Sequence, residues 1–212
     1  MMAREPGPSE SAGPRLTVVS GPSGVGKSSV VAEVVRRWPQ LFVSVSVTTR
    51  PPRVGQWPDE QYRYVDRATF ARMVERGEFL EYAEYAGNFY GTPAAPVREA
   101  LITGRSTLLE IEVQGARQVR AAMTDALLVM LVPPSWEVLY ARLSDRGTED
   151  PTERERRLRV ACEELDAVGE FDATIVNDDV RRAAQELITL MVGTGSGTPP
   201  AWPVTSDGIW RQ

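Results

Sequence analysis

An α/β fold is predicted, a parallel sheet core with helices on both faces, and three observations predict it. Short, nearly continuous apolar runs at 16–20, 42–48, 107–113, 126–132 and 173–176 read as strands buried on both faces. Apolar stripes at helical spacing fill the intervals: Val30, Val31, Val34, Val35 and Trp38; Trp136, Leu139, Tyr140 and Leu143; Leu158, Ala161, Cys162, Leu165 and Val168. A glycine-rich stretch, GPSGVGKS at 21–28, joins the first strand to the first helix. Strands alternating with helices in this way are the pattern of a parallel sheet covered on both sides.

In chain order, residues 1–14 are rich in Gly, Pro and Ser without sustained periodicity and are expected to be a disordered tail, as are 193–212. The folded unit expected between them is 15–192. Its first strand, LTVVS, runs into the glycine loop and then the helix KSSVVAEVVRRW. After the second apolar run, the stretch from Arg50 to Tyr90 breaks the alternation with Pro, Gly, charged and aromatic residues, and an inserted subdomain fits there, within about 48–96. The remaining strands and helices then resume the core pattern.

Composition narrows the chemistry. The chain has 212 residues, ample for one sizeable core. Its net charge of -5 carries no basic footprint, so no nucleic-acid partner is expected. No run approaches the ~20 apolar residues that span a bilayer, and the start lacks the apolar middle of a secretion signal, so a cytoplasmic protein without membrane contact is expected. The one cysteine, Cys162, permits no internal disulfide and no cysteine metal cluster. There is no histidine, which excludes histidine triads and histidine metal sites, and Lys27 is the only lysine among 24 basic residues. Chemistry must therefore run on arginine, carboxylates, hydroxyls, one lysine and a bound ion.

The loop matches Gly-x-x-x-x-Gly-Lys-Ser and stands where that pattern has physical meaning, after a strand and at the start of a helix. Its glycines let successive N–H groups turn inward on phosphate oxygens, and the helix start adds partial positive charge. Gly21, Pro22, Ser23, Gly24, Val25, Gly26, Lys27, Ser28 and Ser29 are thus the candidate ATP-binding residues. The Lys27 ammonium suits the β and γ phosphates, and the Ser28 hydroxyl suits Mg2+. The lone lysine in this slot fits a need for a compact charge where the rest of the chain uses arginine.

A second nucleotide site is read from the insert. Ser46, Arg50, Arg53 and Tyr62 follow the second strand, where open parallel sheets bind ligands, and Arg50 with Arg53 flank two prolines as a stiff pair suited to a phosphate. Glu81, Tyr90 and Thr92 place a carboxylate near a hydroxyl, which complements the N1–H, N2 amino and O6 edge of guanine. Together GPSGVGKS, SVSVTTRPPRVG, EFLEYAEYAGNFYGT, LLEIEVQGA, RLSDRGTE and IVNDD resemble the guanylate kinase family over about 15–190, in the family's order.

The resemblance implies a P-loop core with an inserted GMP-binding subdomain and a helical lid at about 142–158, and ATP-dependent phosphorylation of GMP and dGMP with Mg2+. It implies that Ser46, Arg50, Arg53, Tyr62 and Tyr90 hold the GMP phosphate, that Glu81 and Thr92 read guanine, and that Glu110 belongs to the acceptor site. Arg142, Arg146 and Arg157 correspond to arginines that close on the donor phosphates, and Asn177 to a position near adenine. Lys27, Arg50 and the three lid arginines are the expected catalytic residues. The chain departs from the family in having Glu110 and Glu112 where Leu-Asp-Ile-Asp is common, and Asp59 where a glycine is usual. Two other readings share parts of this pattern: a non-catalytic phosphopeptide-binding module of the same fold, and a kinase for another phosphorylated small molecule. The first typically lacks an intact donor loop; Glu81 with Thr92 favours guanine over the second. A monomer or small homo-oligomer is expected.

Overall fold

The computed structural model describes residues 13–52, 62–85, 87–144 and 151–193. The core sheet has the order β2-β7-β1-β8-β9 and every pairing in it is parallel. Its strands are β1 (Leu16–Ser20), β2 (Phe42–Val43), β7 (Thr107–Glu110), β8 (Leu127–Val132) and β9 (Ala173–Val176). Adjacent residues of one strand face opposite layers, as the strand period of two requires. Val19, Val129 and Leu131 pack with α1 (Lys27–Arg37) and α7 (Val180–Met191). Val18 and Leu128 pack on the other face with α3 (Ala94–Ile102) and α4 (Val113–Ala122), and Met130 and Val132 meet α5 (Trp136–Ser144) and α6 (Pro151–Asp166). Helices therefore cover both faces. Among the described residues no helix is long and apolar enough to cross a membrane.

A second sheet, ordered β4-β3-β6-β5, is built from β3 (Ser46–Thr48), β4 (Tyr62–Tyr64), β5 (Phe79–Tyr85) and β6 (Asn88–Pro93). Its underside is closed by α2 (Arg67–Glu75), whose Phe70 is 2% exposed and stacks on Phe79 and Phe89 at 4.6 and 5.5 Å between centroids. Asp66 caps α2 by accepting from the Thr69 N–H at 2.6 Å.

Two strand predictions need correction. The run 42–48 is not one strand: Ser44 N–H donates to Leu108 O at 3.1 Å, the last bond to the core sheet, Val45 is exposed, and 46–48 then pair with β6 and β4. Valine and serine alternate without a break through 43–47, so periodicity alone cannot see the change of sheet. The run 107–113 ends at Glu110, because Glu112 takes the extended backbone of a helix N-cap and Val113 begins α4.

Candidate active site

The loop 21–28 turns between β1 and α1, and Gly21, Gly24 and Gly26 all have positive φ. The need for glycine is clearest at Gly26 (φ 97°), where a Cβ would meet the Asn177 amide nitrogen at 2.6 Å. Lys27 donates to the Gly21 carbonyl and lies 3.6 Å from a Glu112 carboxylate oxygen. Burial alone would lower the Lys27 pKa, but the charges of Glu112, Glu164 and Glu110 outweigh it and hold the ammonium above its ordinary value. Ser28 Oγ donates to Glu110 Oε1 at 2.7 Å, and Ser29 is exposed on the first turn of α1.

Side chains from three elements brace this loop. Asn177, buried at the end of β9, donates from Nδ2 to Val25 O at 2.7 Å, while its Oδ1 is buried without a hydrogen-bond partner. Arg142 on α5 donates to the carbonyls of Val25 and Asn177 at 3.2 and 3.3 Å. Arg157 on α6 donates to Ser23 Oγ at 2.9 Å. Arg146 and Arg53, with Asp59, lie outside the described residues.

Ser46, Arg50, Tyr62, Glu81, Tyr90 and Glu110 line one cavity of about 280 Å³ that Ser28 and Glu112 also line. Strand register sets its walls: Glu81 pairs with Thr92 and Ala83 with Tyr90 across β5 and β6, and Ser46 pairs with Tyr62 across β3 and β4. At one end Thr92 Oγ1 donates to Glu81 Oε1 at 2.6 Å, with both side chains buried. Burial lifts the Glu81 pKa above the usual carboxylate range, and the Thr92 hydrogen bond only partly opposes this. At the other end Tyr62 meets Tyr90 edge-on at 5.8 Å, and the Arg50 guanidinium lies over the Tyr62 and Tyr64 rings at 5.6 and 5.8 Å. Burial, then the Glu110 charge, pushes the Tyr62 phenol to about 12, so it keeps its proton across the neutral range. A larger cleft of about 610 Å³, beside Val45, Met73 and Pro93, contains none of the predicted residues.

Ser28 of the phosphate loop and the Glu81 carboxylate thus line one cavity. A family model described as guanylate kinase matches residues 13–193. The chain belongs to the guanylate kinase family. It is 56% identical over 177 residues to a guanylate kinase of Thermobifida fusca, covering 84% of this chain and 90% of that protein. It is also 56% identical over 179 residues to one from Frankia casuarinae, covering 84% of this chain and 97% of the relative. The crystal structure of guanylate kinase from Anaplasma phagocytophilum superposes with a TM-score of 0.71 at 31% identity, covering 88% of each chain.

The structure of this guanylate kinase family member also brings in residues that sequence reasoning missed. Glu164, buried on α6, hydrogen-bonds Glu112 and accepts from the Ser23 N–H. Burial, the Glu112 hydrogen bond and the Glu112 charge raise its pKa to about 9. Partial desolvation would raise the pKa of the part-exposed Glu112 carboxyl, but Lys27 and the Glu164 hydrogen bond outweigh it and hold the group below its ordinary range. Gly115 on α4 leaves room for the Glu81 carboxylate, and Tyr85 lines the cavity on the same face of β5 as Glu81 and Ala83. The QGA of LLEIEVQGA held a usable signal for Gly115, since a glycine inside a helix asks for a reason.

Proposed function

We propose that this kinase transfers the γ-phosphoryl group of ATP to the phosphate of GMP or dGMP, giving ADP and GDP or dGDP. An oxygen of the acceptor phosphate forms a bond to the γ phosphorus, and the bond from that phosphorus to the β-γ bridging oxygen breaks as ADP leaves. The observation that carries the reading is the buried Glu81–Thr92 pair at one end of a cavity whose other end holds Arg50, Tyr62 and Tyr90. A carboxylate there accepts from guanine N1–H and N2, whereas adenine offers the opposite pattern at N1 and N6. Arg50, Arg53, Ser46, Tyr62 and Tyr90 hold the acceptor phosphate, with Glu110 at the same site.

On the donor side the loop amides and Lys27 hold the phosphates, and Asn177 Oδ1, a buried acceptor without a partner, suits the adenine amino group. Arg142, Arg146 and Arg157, in a lid at about 142–158, gather charge as the group transfers, and their closure excludes water. Phosphoryl transfer has a loose transition state, so alignment and charge neutralisation suffice without a nucleophilic side chain. The oxygens of Ser28 and Glu110, 2.7 Å apart, with Glu112 nearby, are the hard donors Mg2+ prefers. Among the described residues no group of three or more His, Cys, Asp or Glu side chains is placed to hold a metal ion, and the nucleotide phosphates would supply the remaining contacts. When bound, the ion would neutralise negative charge on the donor phosphates.

The acidic net charge of -5 argues against a nucleic-acid partner, and the enzyme is proposed to be cytoplasmic, without membrane contact, and a monomer or small homo-oligomer. A coupled ADP-release assay with GMP, dGMP, AMP, UMP and CMP tests the reading. GMP and dGMP should turn over and the others should not; an inert GMP overturns it.

A further inference from the structure

Helix α6 grips a single residue of the phosphate loop twice. Arg157 donates to the Ser23 hydroxyl at 2.9 Å, and Glu164 accepts from the Ser23 amide. Seven residues separate the two side chains, about two helical turns, so they share one face of α6. Glu164 is 8% exposed and sits toward the buried end of the helix beside Ala161 and Leu165, whereas residues 155 and 156, toward the other end, are exposed. The Glu164 carboxyl also bonds Glu112, the residue that pairs with Lys27. A buried acid is costly unless it is hydrogen-bonded, and this one has the Ser23 amide and the Glu112 carboxyl as partners. Nothing in the transfer mechanism above uses this residue.

We propose that Glu164 is a positioning residue for phosphoryl transfer: it fixes the base of α6 to the phosphate loop, through the Ser23 amide and Glu112, so that Arg157 reaches the donor phosphates at one set angle. It touches no substrate and acts through Arg157. The proposal rests on the reading of Arg157 as a donor-phosphate residue, so its test includes a measurement that does not depend on GMP.

That test uses the full chain with Glu164→Gln, Glu164→Ala, Arg157→Ala and the double variant Glu164→Ala/Arg157→Ala. Steady-state constants for ATP and GMP are measured beside the Kd of a fluorescent N-methylanthraniloyl ATP. Glutamine presents a carbonyl to the Ser23 amide and an N–H to Glu112, so it should stay within about twofold of the parent in every constant. Alanine should raise the ATP KM and the Kd about tenfold and lower kcat, while the GMP KM moves less than about twofold. The double variant should be no worse than Arg157→Ala alone. Glu164→Leu, which fills the volume, gives the same reading should the alanine variant fold poorly. An unchanged ATP Kd in Glu164→Ala, an equal rise in the GMP KM, additive losses in the double variant, or glutamine behaving as alanine would each overturn the assignment. Should GMP prove inert, the Kd values still decide it.

Discussion

Gly115 stands directly behind Glu81: a Cβ built on it would lie 2.6 Å from Glu81 Oε2 and 3.1 Å from Cδ. Helix α4 and strand β5 can approach this closely only because position 115 has no side chain. The carboxylate cannot retreat freely either, since Thr92 holds its other oxygen.

Gly115→Ala should therefore displace the acceptor carboxylate while favouring the helix that carries it. The GMP KM is expected to rise about tenfold with the ATP KM unchanged, as for an interaction lost from one substrate only. Initial rates at varied GMP and at varied ATP check this. Equal changes in both constants would count against the assigned role of Glu81.

Glu81→Gln separates function from stability. Burial raises the Glu81 pKa, so the folded chain binds that proton more tightly than the unfolded chain, and ionising the group costs stability. That cost is present above the folded pKa and absent below the ordinary carboxylate range. Glutamine, which never ionises, should raise Tm at pH 7.5 by about 2 °C. The advantage should vanish as pH falls through the folded pKa toward about 4. Activity with GMP should fall sharply at the same time, and calorimetry across pH beside the rate assay reads both.

How much of this was legible without the structure depends on the distance over which each feature is encoded. The loop 21–28 is written in adjacent residues with local backbone rules, and the five core strands show as apolar runs. Glu81 and Thr92 lie 11 apart on two strands of one hairpin, near enough for a motif to carry both. Glu164 was not legible: it stands among acidic residues beside an apolar helix stripe, and only packing brings it to Glu112 and Ser23. The division of 42–48 between two sheets was hidden for the same reason, because the backbone partners of Ser44 and Ser46 belong to distant segments.

Lys27→Ala should lower kcat by about 100-fold or more, by the magnitude typical of a preorganised charge donor. GMP affinity, read by equilibrium binding, should hardly move, because Lys27 belongs to the loop and not to the acceptor cavity. A near-parental kcat would remove the loop from the mechanism.

Phe70→Ala empties the centre of the second sheet's small core, where the ring stacks on Phe79 and Phe89. A loss of about 3 kcal/mol is expected from chemical denaturation. The functional damage should fall on the GMP KM, with affinity for the ATP analogue retained, since the loop is anchored in the core sheet.

Lys27 also gives the molecule one addressable ε-amine. An amine-directed acylating reagent has only that nitrogen and the α-amino group to attack, and the carboxylates around Lys27 keep its nitrogen protonated and slow. Mass spectrometry of a briefly labelled sample would thus report, as a single added mass on one peptide, how far the loop is open at a given moment.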